Sequence, residues 1–492
     1  MIFSSLIFLF FFLPAVVVFY WLPEIWEKIK TSICCETVLP ANKPSQGIIN
    51  NDTRDNHHYR NIVLLIFSIV FYAWGEPVFI LLMFLSIVAN YSFGRLIDKY
   101  RSHDRKFLWS AITFNVGILF IFKYLGFTLQ NIGWLINKDF SGIKITLPVG
   151  ISFFTFQAMS YVIDVYKRKV EAQKSLLNLG LYIALFPQLV AGPIVRYETI
   201  AHEIERREES YDDFADGVIR FVKGLAKKVM IANSMGLVVD EVFATPLNEL
   251  SVANAWLGAI GFAFQIYYDF SGYSDMAIGL GGMFGFHFAE NFNYPYMAAS
   301  ITDFWRRWHI SLSSWFRDYV YFPLGGSRVD SKGRHIFNIF VVWLLAGIWH
   351  GANWTFIVWG LFFFVLLVIE KQFGIDKNKT WSGHIYTMFF VTIAWALFRS
   401  TSISNAVMYI QTMLGFGTAS SDCSGFLTNL RNYGFDYLIA LIFSFNLPLN
   451  ISLKHDKPVL NIITVLLMTC LYMFCVAYIM RDSYTSFIYF QF

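Results

Sequence analysis

Apolar segments alternate with short polar connections along the whole chain. The first covers Met1 to Leu22. Further apolar segments lie at Asn61–Trp74, Val78–Phe93, Phe107–Phe122, Thr146–Ile163, Leu176–Ala191, Ala253–Tyr268, Met276–Phe286, Phe337–Ile369, Ile385–Leu397, Tyr437–Phe445 and Val459–Met480. Because about 20 apolar residues cross a bilayer as a helix, Phe337–Ile369 is long enough for a pair of spans. The pattern predicts about 10 to 12 spanning or half-spanning helices.

These segments predict an all-α polytopic membrane protein, since uninterrupted apolar runs in lipid must pair their own backbone hydrogen bonds as helices. The composition agrees, with 56% hydrophobic and only 15% charged residues. The sequence indicates no soluble domain of appreciable size, no internal repeat and no low-complexity tract, so we expect one membrane domain over residues 1–492. The net charge of +4 is too small to indicate binding to nucleic acid.

The basic residues predict how the chain is oriented. The connections Arg95–Lys106 and Asp164–Lys174 are rich in Lys and Arg, whereas Gly75–Pro77 is not. Because basic loops stay in the cytoplasm, we expect the amino terminus to lie outside, after an uncleaved first span. A basic amphipathic helix is predicted from Gly217 to Asn233, in the membrane interface or solvated on the cytoplasmic side.

His350 is the first candidate for chemistry. It is the only titratable residue between Trp343 and Trp359, and its imidazole is expensive to bury in lipid unless it is paired or faces a cavity. A packed histidine bonded to a neighbouring carbonyl is the plain alternative. Asn353 adds a second polar group, and we predict that Asn353 and Trp349 contact the substrate.

A second candidate region runs from Ile301 to Arg328. Its aromatic residues and its arginines fall on opposite faces of a helix that is too charged to cross lipid, so it must lie in the interface or re-enter a cavity. His309 lies within it. An anionic acyl carrier would need cations nearby, and we predict that Arg306, Arg307 and Arg317 bind it, although Asp303 and Arg307 also have the spacing of a helical ion pair.

Other catalytic patterns are absent from the sequence. Asp269 and Asp275 are six residues apart, which does not favour a carboxylate dyad. The glycines from Gly279 to Gly285 contain no GxxxxGK[ST] phosphate loop, and the chain has no G-x-S-x-G elbow. The five cysteines, with Cys34 and Cys35 adjacent, predict neither disulfides nor a metal site.

Four motifs resemble those of a known family. They are WHGANW around His350, DFWRRWHISLSSWFRDYVYFPLGGSR with His309, YDFSGYSDMAIGLGGMFGF from Tyr268, and FPQLVAGPIVR from Phe186. Together they resemble the bacterial branch of the membrane-bound O-acyltransferase family, above all its alginate and peptidoglycan O-acetyltransferases. The resemblance extends over most of the chain but is weak in the last hundred residues.

The resemblance implies a fold, an activity and a site. It implies a ring of tilted helices around a funnel, with His350 as the catalytic residue and His309 as a supporting one. It implies transfer of acetyl from cytoplasmic acetyl-CoA to an extracytoplasmic polysaccharide, in a bacterial inner membrane and with no bound cofactor or metal. A separate periplasmic partner with an SGNH or GDSL hydrolase-like fold commonly completes the transfer in this branch.

The chemistry of imidazole suggests a mechanism. A base with a pKa near 7 speeds attack of a hydroxyl on a thioester most at neutral pH, so we expect His350 to take the acceptor proton. His309 is expected to orient the acceptor or polarise the carbonyl. Two alternatives remain open: D-alanyl transfer to teichoic acid from a carrier protein, and a transporter that uses His350 as a proton relay.

Overall fold

The computed structural model describes residues 1–34, 52–140, 142–143, 145–377, 380–416, 420–446 and 458–481. Cys35 lies outside these ranges. The described residues form α-helices and no strand of a sheet. In chain order the helices are α1 (Leu13–Cys34), α2 (Asp52–Gly75), α3 (Ile80–Lys99), α4 (Asp104–Leu119), α5 (Leu125–Ile136), α6 (Ile151–Tyr166), α7 (Leu176–Ala184), α8 (Phe186–Leu189), α9 (Tyr197–Glu205), α10 (Tyr211–Ala226), α11 (Asn233–Ala244), α12 (Val252–Met283), α13 (Ile301–Arg307), α14 (Ile310–Phe316), α15 (Lys332–His350), α16 (Trp354–Phe373), α17 (Trp381–Arg399), α18 (Ile403–Met413), α19 (Ser424–Phe443) and α20 (Pro458–Arg481).

Six of the described helical segments have the length and apolar composition of a membrane span: Phe8–Trp26, Ile80–Lys99, Arg101–Ile136, Trp354–Phe373, Trp381–Arg399 and Pro458–Arg481. Helices α2, α12, α15 and α19 are also long enough to cross a bilayer but are more polar. The prediction of an all-α polytopic membrane protein is confirmed. The ring around a funnel and the single domain over residues 1–492 stay predictions.

Helix α12 corrects one feature of the predicted pattern. Ala253–Tyr268 and Met276–Phe286 were expected as separate spans, but one continuous helix of 32 residues covers nearly all of both. The polar residues between them do not interrupt it because their charges are paired. The Nζ of Lys228 lies 2.5 Å from Asp269, and the Nζ of Lys227 lies 2.6 Å from Asp275. Both carboxylates are buried.

The partner of α12 is the predicted basic amphipathic helix. The segment Gly217–Asn233 forms the end of α10 and a π-helical turn at Lys227–Ala232. A Cβ at Gly224 would lie only 2.6 Å from the carbonyl oxygen of Gly272, so small residues are required where the two backbones meet. This segment therefore packs against α12. We had expected its basic residues to lie in the membrane interface or in solvent, but Lys228 is buried instead.

The apolar segment Leu176–Ala191 is not a span either. It forms the short helices α7 and α8, whose residues are mostly buried in the protein. Pro187 has no N–H to continue the hydrogen-bond pattern of α7, so the chain turns there. These helices pack beside α2, α3 and α6 and complete the larger core of the protein.

Candidate active site

His350 lies at the turn of the hairpin formed by α15 and α16. It is the last residue of α15, and Gly351 leaves the helix in an extended conformation before Asn353 caps α16. Two helices therefore cover the predicted segment Phe337–Ile369, with His350 at the turn between them, and of the two α16 has the composition of a span. Gly347 lets the two helices approach, because a Cβ there would lie 2.5 Å from the carbonyl oxygen of Phe356.

Aromatic rings enclose the imidazole of His350. Its centroid lies 5.0 Å from the ring of Trp349, 4.9 Å from that of Trp359 and 5.3 Å from that of Phe398, all at steep angles. The side chain is 7% exposed. Within the described part of the chain, no residue forms a hydrogen bond with its ring nitrogens. The packing therefore fixes the ring but leaves both nitrogens available to a substrate.

His309 occupies a break between two helices. The segment from Ile301 was expected to continue as one amphipathic helix, but α13 ends at Arg307 and α14 begins at Ile310. His309 adopts φ 44° in the left-handed region, which is rare for a residue with a side chain. The aromatic face is nonetheless buried as predicted, since Trp308 and Trp315 are both nearly inaccessible.

Asn291 determines the tautomer of His309. The Oδ1 of Asn291 accepts hydrogen bonds from the backbone N–H of Ser311, at 3.2 Å, and from its hydroxyl, which identifies this atom as the amide oxygen. The Nδ1 of His309 lies 3.1 Å from the same oxygen, so in the neutral ring Nδ1 carries the proton. The Nε2 is then a bare acceptor, and it is buried with no hydrogen-bond partner among the described residues.

A cavity of about 250 Å³ reaches His350 from one side. Its walls are largely apolar and aromatic, with Trp305, Leu312 and Phe316 among them. Three cations line it as well: Arg306, Arg317 and Lys371. An elongated ligand with an anionic end and an apolar or reactive tip fits this arrangement.

Arg317 also belongs to a cluster of charges at this cavity. Its Nε lies 2.8 Å from Asp318, whose other oxygen lies 2.7 Å from Arg196. Burial alone would raise the pKa of Asp318, but the hydrogen bonds from Arg317 and Arg196 lower it below its usual value. The carboxylate therefore stays ionised and orients both arginines.

A smaller cavity, of about 70 Å³, reaches His350 from another side. Its walls include Pro148, Gly150, Ser152 and Trp349 together with the side chain of Lys123. Of the residues that the structure describes, His350 alone lines both cavities. It therefore stands where two approaches to the interior of the protein meet.

The remaining predicted contact residues have structural partners. Arg307 forms an ion pair of 3.1 Å with Asp303, as their spacing indicated, and lines neither cavity. Asn353 accepts a hydrogen bond from the N–H of Thr355 and donates one of 3.1 Å to the carbonyl of Thr401. Trp349 lies between the two histidines, 5.9 Å from the ring of His309.

Comparison with known proteins assigns the chain to a family. The membrane-bound O-acyltransferase family profile matches residues 152–417, more than half of the chain. A probable alginate O-acetylase of Pseudomonas aeruginosa is 38% identical over 431 residues, which cover 85% of this chain and 76% of that protein. The chain belongs to the membrane-bound O-acyltransferase family. It is thus an O-acyltransferase.

Two other similar proteins carry different names. The peptidoglycan O-acetyltransferase of Helicobacter pylori is 34% identical over 403 residues, covering 74% of this chain and 76% of its own. The teichoic acid D-alanyltransferase of Bacillus subtilis is 31% identical, but over 46% of this chain and 59% of its own. The region matched by the family profile contains both His309 and His350, whereas Lys123 precedes it.

Sequence reasoning missed three charged residues in this O-acyltransferase. Lys123 and Lys371 line the two cavities. Glu370 is fully buried in α16, and its carboxylate accepts hydrogen bonds from the backbone and the hydroxyl of Thr302, which fixes the first turn of α13. One signal was present: each of these residues adjoins a long apolar segment, where a charge has to be paired or exposed to a cavity.

Proposed function

We propose that this protein moves an acetyl group from cytoplasmic acetyl-CoA to a polysaccharide outside a bacterial cytoplasmic membrane, with His350 as general base. The observation that carries the proposal is that His350 lines two separate cavities, one of them bordered by cations. The names of its relatives, alginate O-acetylase and peptidoglycan O-acetyltransferase, support acetyl as the group and a cell-envelope polysaccharide as the acceptor.

The larger cavity is suited to the donor. Coenzyme A combines phosphates at one end with a flexible arm that ends in the thioester. Arg306, Arg317 and Lys371 supply positive charge for the phosphates, and the apolar walls accept the arm as far as His350. Arg307 takes no part, since it lines neither cavity.

The two ends of helix α6 lie near different cavities, which supports openings on opposite sides of the membrane. Its first residue, Ile151, lines the smaller cavity. Beyond its last residue, the Nζ of Lys167 reaches the carbonyl of Asp318, beside Arg317 of the larger cavity. The 16 residues of α6 span about 24 Å along the helix axis. Because Lys167 belongs to the basic connection after α6, the positive-inside rule places the larger cavity toward the cytoplasm.

The chemistry needs one base between donor and acceptor. The acceptor oxygen bonds to the thioester carbon while His350 takes the hydroxyl proton, and the carbonyl electron pair moves onto oxygen. The intermediate then expels the coenzyme A sulfur, which takes the proton from His350. A base of this kind contributes about 10² to 10⁴ in rate, and the two cavities contribute by holding the reactants together.

The tautomer of His309 selects between its two expected roles. A carbonyl is polarised by a donor, but the neutral ring of His309 presents only the acceptor Nε2. It is therefore suited to accept a hydrogen bond from another donor group of the acceptor, not from the hydroxyl whose proton His350 takes, and in this way to orient the acceptor.

The group that takes the acetyl directly beside His350 must be small, so it is not the polysaccharide itself. The second cavity, of about 70 Å³, has room for only a few water molecules. A polysaccharide chain does not fit there, and the sequence has no serine elbow of its own. We infer that the acetyl group leaves through a separate extracytoplasmic partner of hydrolase-like fold, which completes the transfer to the polymer.

Oriented membrane vesicles test the proposal. Radiolabelled acetyl-CoA, which does not cross membranes, is supplied to inside-out and right-side-out vesicles that contain the protein, its partner and polysaccharide. We expect label in the polysaccharide only when the cytoplasmic face receives the donor. Equal labelling from both faces would contradict it. Transfer of D-alanine from a carrier protein, without any transfer from acetyl-CoA, would establish the teichoic acid alternative instead.

A further inference from the structure

Lys123 is a cation inside an apolar span. It lies in the continuous helical segment Arg101–Ile136, which has the composition of a membrane span. A π-helical turn at Phe120–Tyr124 interrupts the α-helical geometry at this point, a feature that is frequent at functional sites. The side chain extends to the end of α15, where its Nζ lies 2.5 Å from the carbonyl oxygen of Trp349 and 3.3 Å from the hydroxyl of Ser152.

The charge of Lys123 is not balanced by a carboxylate among the described residues. Its nearest negative groups are the last carbonyls of α15, which together amount to about half an elementary charge. Two of its three N–H donors have partners, the carbonyl of Trp349 and the hydroxyl of Ser152. The third has no hydrogen-bond acceptor in the described part of the chain, although the Nζ also lies 5.6 Å from the centroid of the Trp349 ring. Lys123 and His350 both line the smaller cavity.

A structural role alone does not explain a cation here. The neighbouring Tyr124 also satisfies a carbonyl at the end of α15, and it does so without a charge, since its hydroxyl donates a hydrogen bond of 2.9 Å to the carbonyl of Ile348. The other walls of the cavity are mainly apolar, including Leu147, Val149 and Ile151. A cation kept in such surroundings costs free energy, which its two hydrogen bonds recover in part and which a negative charge forming beside it would recover further.

We propose that Lys123 is a catalytic residue that stabilises the oxyanion of acyl transfer. The inference rests on the proposed function, in which the acceptor oxygen adds to the thioester carbon and the carbonyl electron pair moves onto oxygen. The free N–H of Lys123 donates a hydrogen bond to that oxyanion, while His350 holds the acceptor proton. The interaction weakens again when the carbonyl re-forms and the coenzyme A sulfur leaves with the proton from His350.

Three variants separate this role from a structural one. Lys123→Met removes the charge and the hydrogen bonds. Lys123→Gln removes the charge but keeps an N–H donor for the end of α15. Tyr124→Phe is the matched control, because it removes a hydrogen bond from the same helix end without changing the charge. Folded protein is measured by size-exclusion chromatography in detergent, and acetyl transfer is measured in inside-out vesicles.

We expect both neutral variants of Lys123 to lower kcat by about 10² to 10³, as loss of an oxyanion donor does in other enzymes, with KM for acetyl-CoA changed less than about threefold. Tyr124→Phe should stay within about threefold of the natural chain. The inference is overturned if Lys123→Gln keeps a tenth or more of kcat, if all three variants lose the same share, or if neither neutral variant folds. A natural chain inactive with acetyl-CoA would instead overturn the proposed function, and this inference with it.

Discussion

His350 and His309 are both buried histidines in aromatic surroundings, yet the protein treats them differently. His309 is held by Asn291 in a left-handed conformation that few residues tolerate, and one ring nitrogen is committed. His350 ends a helix with no hydrogen bond from the described residues and lines two cavities. The first arrangement fixes a direction, whereas the second leaves a base free to gain and lose a proton. Burial alone does not distinguish the two roles.

Apart from His350 itself, the residue of this comparison with the largest expected effect on kcat is His309. Asn tolerates the left-handed conformation better than most residues, so His309→Asn keeps the backbone and removes only the imidazole. We expect kcat to fall about 10²-fold because the acceptor is no longer oriented, with the amount of folded protein unchanged. Transfer assays in vesicles measure this.

A second variant, Asn291→Leu, keeps the imidazole but removes the oxygen that accepts its hydrogen bond. It should also lower kcat, because the tautomer is no longer fixed. Full activity of His309→Asn would show that His309 serves only the packing of the break between α13 and α14.

A smaller effect is expected at the basic side of the larger cavity. Arg306→Gln and Arg317→Gln should each raise KM for acetyl-CoA about 5- to 10-fold at nearly unchanged kcat, because phosphates are bound equally in ground and transition states. Arg307→Gln is the matched control, since Arg307 lines neither cavity. Initial rates over a range of acetyl-CoA concentrations distinguish them. An equal rise in KM for Arg307→Gln would exclude this assignment of the donor site.

The smallest effect is expected at Asn353, which adjoins the site but caps α16. Asn353→Ala should lower stability by about 1 kcal/mol, the usual effect of losing an N-cap, and leave kcat nearly unchanged. Asn353→Asp, which keeps the cap, should be more stable than the alanine variant. Thermal unfolding in detergent measures both. A loss of kcat beyond tenfold in folded Asn353→Ala would return Asn353 to the substrate site.

The sequence predicted the features that depend on the spacing of apolar residues and on the cost of placing polar side chains in lipid. A single imidazole among 17 otherwise uncharged residues made His350 a candidate, which stays a prediction, and the arginine-rich segment contributes Arg306 and Arg317 to the larger cavity. The merging of two predicted spans into α12 was not predictable, because Asp269 and Asp275 are stabilised there by basic residues of another segment, among them Lys228, Lys227 and Arg220. Such pairing depends on tertiary contacts, which local patterns do not contain.

Lys123 shows a second kind of limit. The predicted span ended at Phe122, where the charge interrupts the apolar run, while the helix continues through a π-helical turn to Ile136. Neither the turn nor the distant carbonyl of Trp349 can be inferred from spacing. The break at His309 was missed for a similar reason, since the hydrogen bonds that Asn291 Oδ1 accepts from His309 and Ser311 stabilise a backbone conformation that the local sequence does not favour.

One measurement tests the central claim that His350 is the base at the meeting point of two cavities. Purified natural protein and His350→Ala are compared for equilibrium binding of acetyl-CoA and for acetyl transfer in the same preparation, with His103→Ala on an exposed turn as control. We predict binding within about threefold for all three and a loss of transfer of about 10² to 10⁴ in His350→Ala alone. Undiminished transfer by folded His350→Ala would contradict the account.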